Sequence, residues 1–271
     1  MQFDSNRAWR DASAAVNANR EVLAALAGVF ILLPGLALSL FYPEPPTPDN
    51  PTPAAMMAVM RSYYGGMMLY LVPVFVLQTL GTLAMLQLFA DRARPTVAEA
   101  IRAGAGGTLS YLGVQLLILA ACVLAALIAG AGGALSGSGA VTVLLLALLL
   151  VAAMYVSARL AVVAPVIAVD HERNPLAAMA RSWALTQGNA GRVFGFLILV
   201  ALGFLAVIMV LLLVTGALLA ILVGGEAARI VAAVISATLT TVFTVYLTAC
   251  TGAVHRQLGG GSPKGTAQVF E

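Results

Sequence analysis

Six stretches of this chain are apolar over more than twenty residues: Glu21–Tyr42, Gly66–Ala90, Thr108–Ala131, Ala140–Val169, Arg192–Val223 and Ala227–Val254. A helix rises about 1.5 Å per residue and the hydrocarbon core of a bilayer is about 30 Å thick, so each stretch is long enough to cross it. The fourth and fifth exceed the need, which predicts tilt, a kink or extension beyond the bilayer. Pro34, Pro73 and Pro165 lie within spans and mark expected kinks, because each removes a backbone hydrogen bond. Composition agrees: 61% of the 271 residues are hydrophobic and 9% charged, where a soluble domain has about 25% charged residues. A soluble enzyme, a disordered regulator and a nucleic-acid binder are thereby excluded. The pI near 9.1 does not reopen the last class, because no basic cluster or aromatic platform accompanies it.

Charge gives the topology. The loops at Pro43–Pro53, Gly132–Gly139 and Gly224–Glu226 have only Arg61 and Arg229 near them. The opposite side collects Arg7, Arg10, Arg20, Arg92, Arg94, Arg102, Arg173, Arg181, Arg192, Arg256 and Lys264, with Arg159 left inside a span. The positive-inside rule then places both termini in the cytoplasm, which an even number of spans also requires. Pro43–Pro53 is expected to be extended and polyproline-like. No cleavable signal peptide is expected, because a mixed segment, Met1 to Arg20, precedes the first apolar run. Cys122 and Cys250 lie inside apolar runs and read as small core or lipid-facing residues rather than a disulfide or metal pair.

The cytoplasmic segments share a pattern. Thr96-Val-Ala-Glu99 reads as a capping box, followed by Val97, Ala100, Ile101 and Gly104 on one helix face. Asn174-Pro175 reads as a helix start, followed by Leu176, Met179, Ala180 and Trp183. Trp9, Ala12 and Val16 form a weaker stripe. The expected fold is therefore an all-α polytopic membrane protein. Its six transmembrane helices fall into three repeats of cytoplasmic amphipathic helix plus transmembrane hairpin. A single integral membrane domain covers residues 1–271, with units near 3–90, 95–169 and 174–255 and a tail at 256–271. The helices near 5–19, 96–104 and 175–187 are expected each to turn sharply into the next span, lying in the headgroup layer and packing on one another.

The segment Arg159-Leu-Ala-Val-Val-Ala-Pro165, then Glu172, then Ala178-Met-Ala-Arg181-Ser182-Trp183-Ala-Leu185-Thr186-Gln-Gly188-Asn189 resembles a known family, as does the opening from Ala8-Trp9 to Leu33-Pro34. It is similar to the membrane domain attached to some bacterial glycerophosphodiester phosphodiesterases and to stand-alone YciC-like inner-membrane proteins. The resemblance implies an all-helical domain in the bacterial inner membrane. It brings no catalytic residues, since the family's activity belongs to a separate soluble domain; six spans leave no room here for a barrel of about 250 residues.

Candidate chemistry is sparse. Asp170-His171-Glu172, with His255 able to approach, is the only grouping of metal-ligand type, but adjacent residues rarely converge as three or four ligands. No metal site, no cofactor and no catalytic set is expected. No acid lies within a span, which weakens ion-coupled transport. Arg159 stands out, 11 residues before Asp170 and hence about 16 Å of helix from that end. It reads either as an anion site for a lipid phosphate, with Arg181, Arg192 and Trp183 as companions, or as a structural arginine that caps carbonyls freed by Pro165 or snorkels. Thr241, Thr244, Thr248 and Thr251 share one face of the sixth span, and Gly191 and Gly195 form a small-xxx-small pair; packing is the first reading. A polar cavity lining, with Gln78, Thr79, Thr82, Gln87 and Gln115, is the sharper one.

Two functions follow. The first is a non-enzymatic, lipid-associated membrane protein that binds, handles or transports phospholipid or another amphiphile. The second is a structural or accessory protein, a scaffold or assembly factor with no ligand turnover. The expected partners are membrane lipids and either a second copy or another membrane protein, with no nucleic acid.

Overall fold

The computed structural model describes residues 2–42, 45, 52–90 and 96–259. Among them every regular element is helical, and six helices are long and apolar enough to cross a membrane. Most of the expected polyproline loop, Arg92, Arg94 and the tail from residue 260 lie outside the described residues.

Helix α1 (Ser5–Ala18) begins at Asp4, whose carboxylate accepts a hydrogen bond from the Arg7 amide. Its buried face is Ala8 and Ala12, with Phe3 buried just ahead of it. The expected stripe differs at Trp9, which is half-exposed and stacks on Tyr246 at 5.9 Å. Small alanines let α1 lie close against the last span; the indole is too large for that seam.

The first span runs as α2 (Arg20–Ala27), a π-helical turn (Gly28–Leu32) and α3 (Leu33–Phe41). The wide turn directly precedes Pro34, whose ring has no N–H and would collide with a carbonyl one turn back. There the Leu33 amide reaches back five residues to the Gly28 carbonyl, which opens the helix around the proline. Pro73, in contrast, sits inside the unbroken α4 (Pro53–Ala90).

Helix α4 has 38 residues and α5 (Val97–Ser136) has 40, both longer than the apolar stretches alone. Thr96 and Glu99 form the capping box reciprocally. The expected turn between an amphipathic helix at 96–104 and the third span is absent, since α5 is continuous. The reason lies in its buried face: Ala100 and Gly104 are followed by Gly107, Ser110 and Val114 at helical spacing, so the seam has no register break. A Cβ on Gly104 would meet the Ala84 backbone nitrogen at 2.8 Å. The stripe that reads as membrane-facing is the α4–α5 contact.

The fourth span breaks. Helix α6 (Gly139–Arg159) ends, residues 160–162 turn, and α7 (Val163–Val169) carries Pro165 in its first turn. Helix α8 (Pro175–Leu185) starts at Asn174, whose side chain accepts from the amides of Leu176 and Ala177. A turn with Gly188 at φ 77° leads into α9 (Ala190–Leu222), followed by α10 (Gly225–Gly259). The three segments expected to repeat enter their spans differently: through a break at Asn19, with no break, and through a turn.

Long-range hydrogen bonds gather one end of the bundle. The Asp4 backbone and the Gln257 side chain bond each other twice, at 3.2 Å. The Phe3 amide donates to Asn189, Arg256 to the Phe89 carbonyl, and Gln87 to the Ala168 carbonyl. We call this the near end. Cys250 is buried there and Cys122 is exposed.

Candidate functional site

The near end positions the arginines singled out by sequence. Arg159 is the last residue of α6, and its carbonyl has lost its helical partner. Ser182 on α8 and Thr186 at its C-cap, one turn apart, both donate to it, at 2.9 and 3.1 Å. Both hydroxyl residues are completely buried. The break at 160–162 therefore lays Arg159 beside α8. It does not sit eleven residues deep along a straight helix. Pro165 causes the change, since its missing N–H leaves the preceding turn without a donor.

The Arg159 guanidinium lies over Trp183, 4.5 Å from the ring centroid. Tyr155 meets the same indole edge-on at 5.7 Å. Arg159 is only 6% exposed, and its Nε has no hydrogen-bond partner. No ion pair joins it to an acid among the described residues. It caps no carbonyl freed by Pro165; the capping runs the other way, with α8 closing the carbonyl of Arg159 itself.

Arg181 is engaged elsewhere. Its Nε lies 2.5 Å from Asp170 Oδ2, and the same oxygen is 3.4 Å from His255 Nε2 on α10. Burial pushes the Asp170 carboxyl up, but the contacts with His255 and Arg181 outweigh it and hold it at about 2. Asp170 thus ties α7 to α8 as a carboxylate, with His255 of α10 packed beside it; His255 Nε2, like Arg159 Nε, makes no hydrogen bond among the described residues. Arg192 is exposed in the first turn of α9. The structure brings Arg159 and Trp183 together, commits Arg181 to Asp170, and leaves Arg192 in the open.

His171 and Glu172 do not join His255 around Asp170. His171 is exposed with φ 56°, and Glu172 accepts from the Asn174 amide. No group of three metal-ligating side chains is present among the described residues. Arg173 is a contact residue that no sequence pattern marks. Its carbonyl accepts from Ser110, and its guanidinium lies where a Cβ on Gly106 or Gly107 would come within 2.9 Å. Gly191 and Gly195, expected to make a close contact, have open space where a Cβ would go. Five threonines of α10 return their hydroxyls to their own helix: Thr238, Thr241, Thr244, Thr248 and Thr251.

Fold and site define a multi-pass helical membrane protein whose polar groups concentrate at one end. Residues 135–258, a little under half the chain, match the family model for the membrane domain of glycerophosphoryl diester phosphodiesterase. The resemblance at residues 159–189 falls inside that stretch, so the break at Pro165, α8 and the Arg159–Trp183 pair lie in the family-like region. Comparisons with curated proteins and with solved structures find no match.

Proposed function

We propose that this chain is a non-enzymatic membrane protein that binds and handles an anionic amphiphile, phospholipid above all, at its near end. One observation carries the reading: a buried guanidinium on Trp183 with an unpartnered Nε and no acid paired to it. A buried charge is costly unless paired. A planar arginine fork matches a phosphate, and the contact strengthens at low dielectric. Trp183 supplies the apolar and aromatic surface common at the membrane–water boundary. Exposed Arg192 adds positive potential, whereas Arg181 is neutralised by Asp170 and contributes position.

The near end carries Arg7, Arg10, Arg20, Arg102, Arg173, Arg181, Arg192 and Arg256. At the far end Arg229 is paired with Glu226, leaving Arg61. That asymmetry supports a cytoplasmic near end, with the protein in a bacterial inner membrane and its amino terminus inside. The outward faces of α6 and α9 are open to lipid, to a second copy or to another membrane protein. The accessory-protein reading has its own support: Ser182 and Thr186 close the Arg159 carbonyl, so this residue is also a joint between α6 and α8.

Lipid mass spectrometry on purified Arg159→Leu and Arg159→Lys, with thermal unfolding alongside, separates the two. The lipid reading expects a folded Leu variant that has lost co-purified anionic lipid, and a Lys variant that recovers part of it. An unfolded Leu variant from a wild type free of anionic lipid makes the residue structural and the protein a scaffold.

A further inference from the structure

A cleft lies away from Arg159, between the first span, α4, α9 and α10. It holds about 480 Å³ and is lined by Ile31, Gly35, Ser39, Gln78, Leu212, Ala232, Ala233, Ser236, Ala237, Thr240 and Thr241. Small-molecule sites are clefts of about 300–1,000 Å³, mostly apolar with a few convergent polar groups. This one fits that description at membrane depth.

Three features narrow the occupant. The side-chain amide of Gln78 and the hydroxyls of Ser236 and Thr240 make no hydrogen bond among the described residues, although Thr241 beside them returns its own to Ala237. Gln78 and Ser236 are half-buried and Thr240 is exposed at the cleft's edge, so their donors and acceptors are accessible to a ligand. The lining contains no charged residue, and an ionised ligand there would have no counter-charge to offset its desolvation. Ser39 and Thr241 return their hydroxyls to their own helices, and the rest of the lining is glycine and aliphatic side chains, which suits a hydrocarbon body. The first span also departs from regular helix at this place: Ile31 belongs to the π-helical turn, and Gly35 follows Pro34. Such turns occur frequently at functional sites.

The geometry points to a binding site for a neutral lipid with a hydroxyl-bearing headgroup, of the acylglycerol class. Gln78, Ser236 and Thr240 hold the glycerol hydroxyls, and Ile31, Leu212 and the alanines of α10 receive the start of the acyl chain. The site goes beyond the anionic-lipid reading and needs none of its residues.

The test uses the full chain in nanodiscs free of acylglycerol, titrated with 1-oleoylglycerol and read by native mass spectrometry. Wild type is expected to bind saturably. The double variant Gln78→Leu/Thr240→Val keeps size but removes two hydrogen-bonding groups, and should weaken binding about tenfold or more. Ala237→Leu leaves the polar groups and fills the cleft, and should weaken it as well. Arg159→Leu should bind 1-oleoylglycerol like wild type, so that failure of either site is distinguishable from failure of the other. No saturable binding to wild type, equal binding to all variants, or displacement by phosphatidylglycerol at equal concentration would overturn the assignment. Should the double variant unfold, Ala237→Leu decides alone.

Discussion

The two ends of this bundle are made of similar residues and packed very differently. At the near end Leu83, Ala84, Val166, Ile167, Ala253 and Val254 are sealed from the surface. At the far end Leu135, Phe41 and Ile221 are 89%, 82% and 80% exposed. Hydrophobicity does not explain the difference. The fifth span has the highest mean hydropathy, 3.3, and none of its most apolar window is buried, whereas the second span, at 1.9, has a third of its window buried. In lipid, apolar side chains gain nothing by leaving hydrocarbon for protein, so helices associate where small residues allow close approach and polar groups bond across. The near end has both: Gly104 against Ala84, Ser182 and Thr186 on the Arg159 carbonyl, and Asp170 between Arg181 and His255.

The most damaging change should therefore be small in volume and placed at the near end. Gly104→Ala drives a Cβ into the Ala84 backbone, which cannot move aside as a flexible side chain does, and should cost about 1–3 kcal/mol. Gly130→Ala, on the same helix toward the far end with open space around it, should be neutral or slightly stabilising through helix propensity, by up to about 1 kcal/mol. Thermal unfolding in one detergent compares them; equal losses would break the contrast between the ends.

Next come the groups that close the α6 terminus. Thr186→Val or Ser182→Ala removes one of two donors from a buried carbonyl and should each cost about 1 kcal/mol. The double substitution orphans the carbonyl and should exceed the sum of the two. Strict additivity in that cycle would mean the hydroxyls act separately rather than on one acceptor.

A smaller and pH-specific effect belongs to Asp170. Its carboxyl sits below the ordinary value of 3.8, at about 2, so it stabilises the fold fully above 3.8, and that contribution is lost as pH falls through 2. Asp170→Asn should flatten this acid limb of the unfolding profile and lower stability at neutral pH by about 1 kcal/mol, since the pair is partly exposed. An unchanged acid limb would remove Asp170 from the α7–α8 tie.

The sequence reads well where one periodicity suffices and poorly where two distant segments meet. The six apolar runs, the capping box at Thr96–Glu99 and the helix start at Asn174 are local signals, and each corresponds to an observed element. The separate helix at 96–104 is not observed, because a small-residue packing seam and a membrane-facing stripe have the same period. Only the partner helix distinguishes them. Pro165 marks a break, but the carbonyl of Arg159 at that break is closed by Ser182 and Thr186, 23 and 27 residues further along the chain. For the same reason Arg159 and Trp183 were nameable from sequence, whereas the commitment of Arg181 to Asp170 was not. The notch that Gly106 and Gly107 provide for Arg173 carries no sequence signal beyond two adjacent glycines.

The chain's two tryptophans allow a direct test of the near-end site. In Trp9→Phe the remaining indole, Trp183, reports on the surroundings of Arg159. Its fluorescence is measured in vesicles of neutral lipid doped with brominated phosphatidylglycerol or, separately, with brominated phosphatidylethanolamine. The account predicts stronger quenching by the anionic lipid at equal content, weakened by added salt and abolished in Trp9→Phe/Arg159→Leu. Equal quenching by the two lipids, or a preference that survives the loss of Arg159, would contradict it.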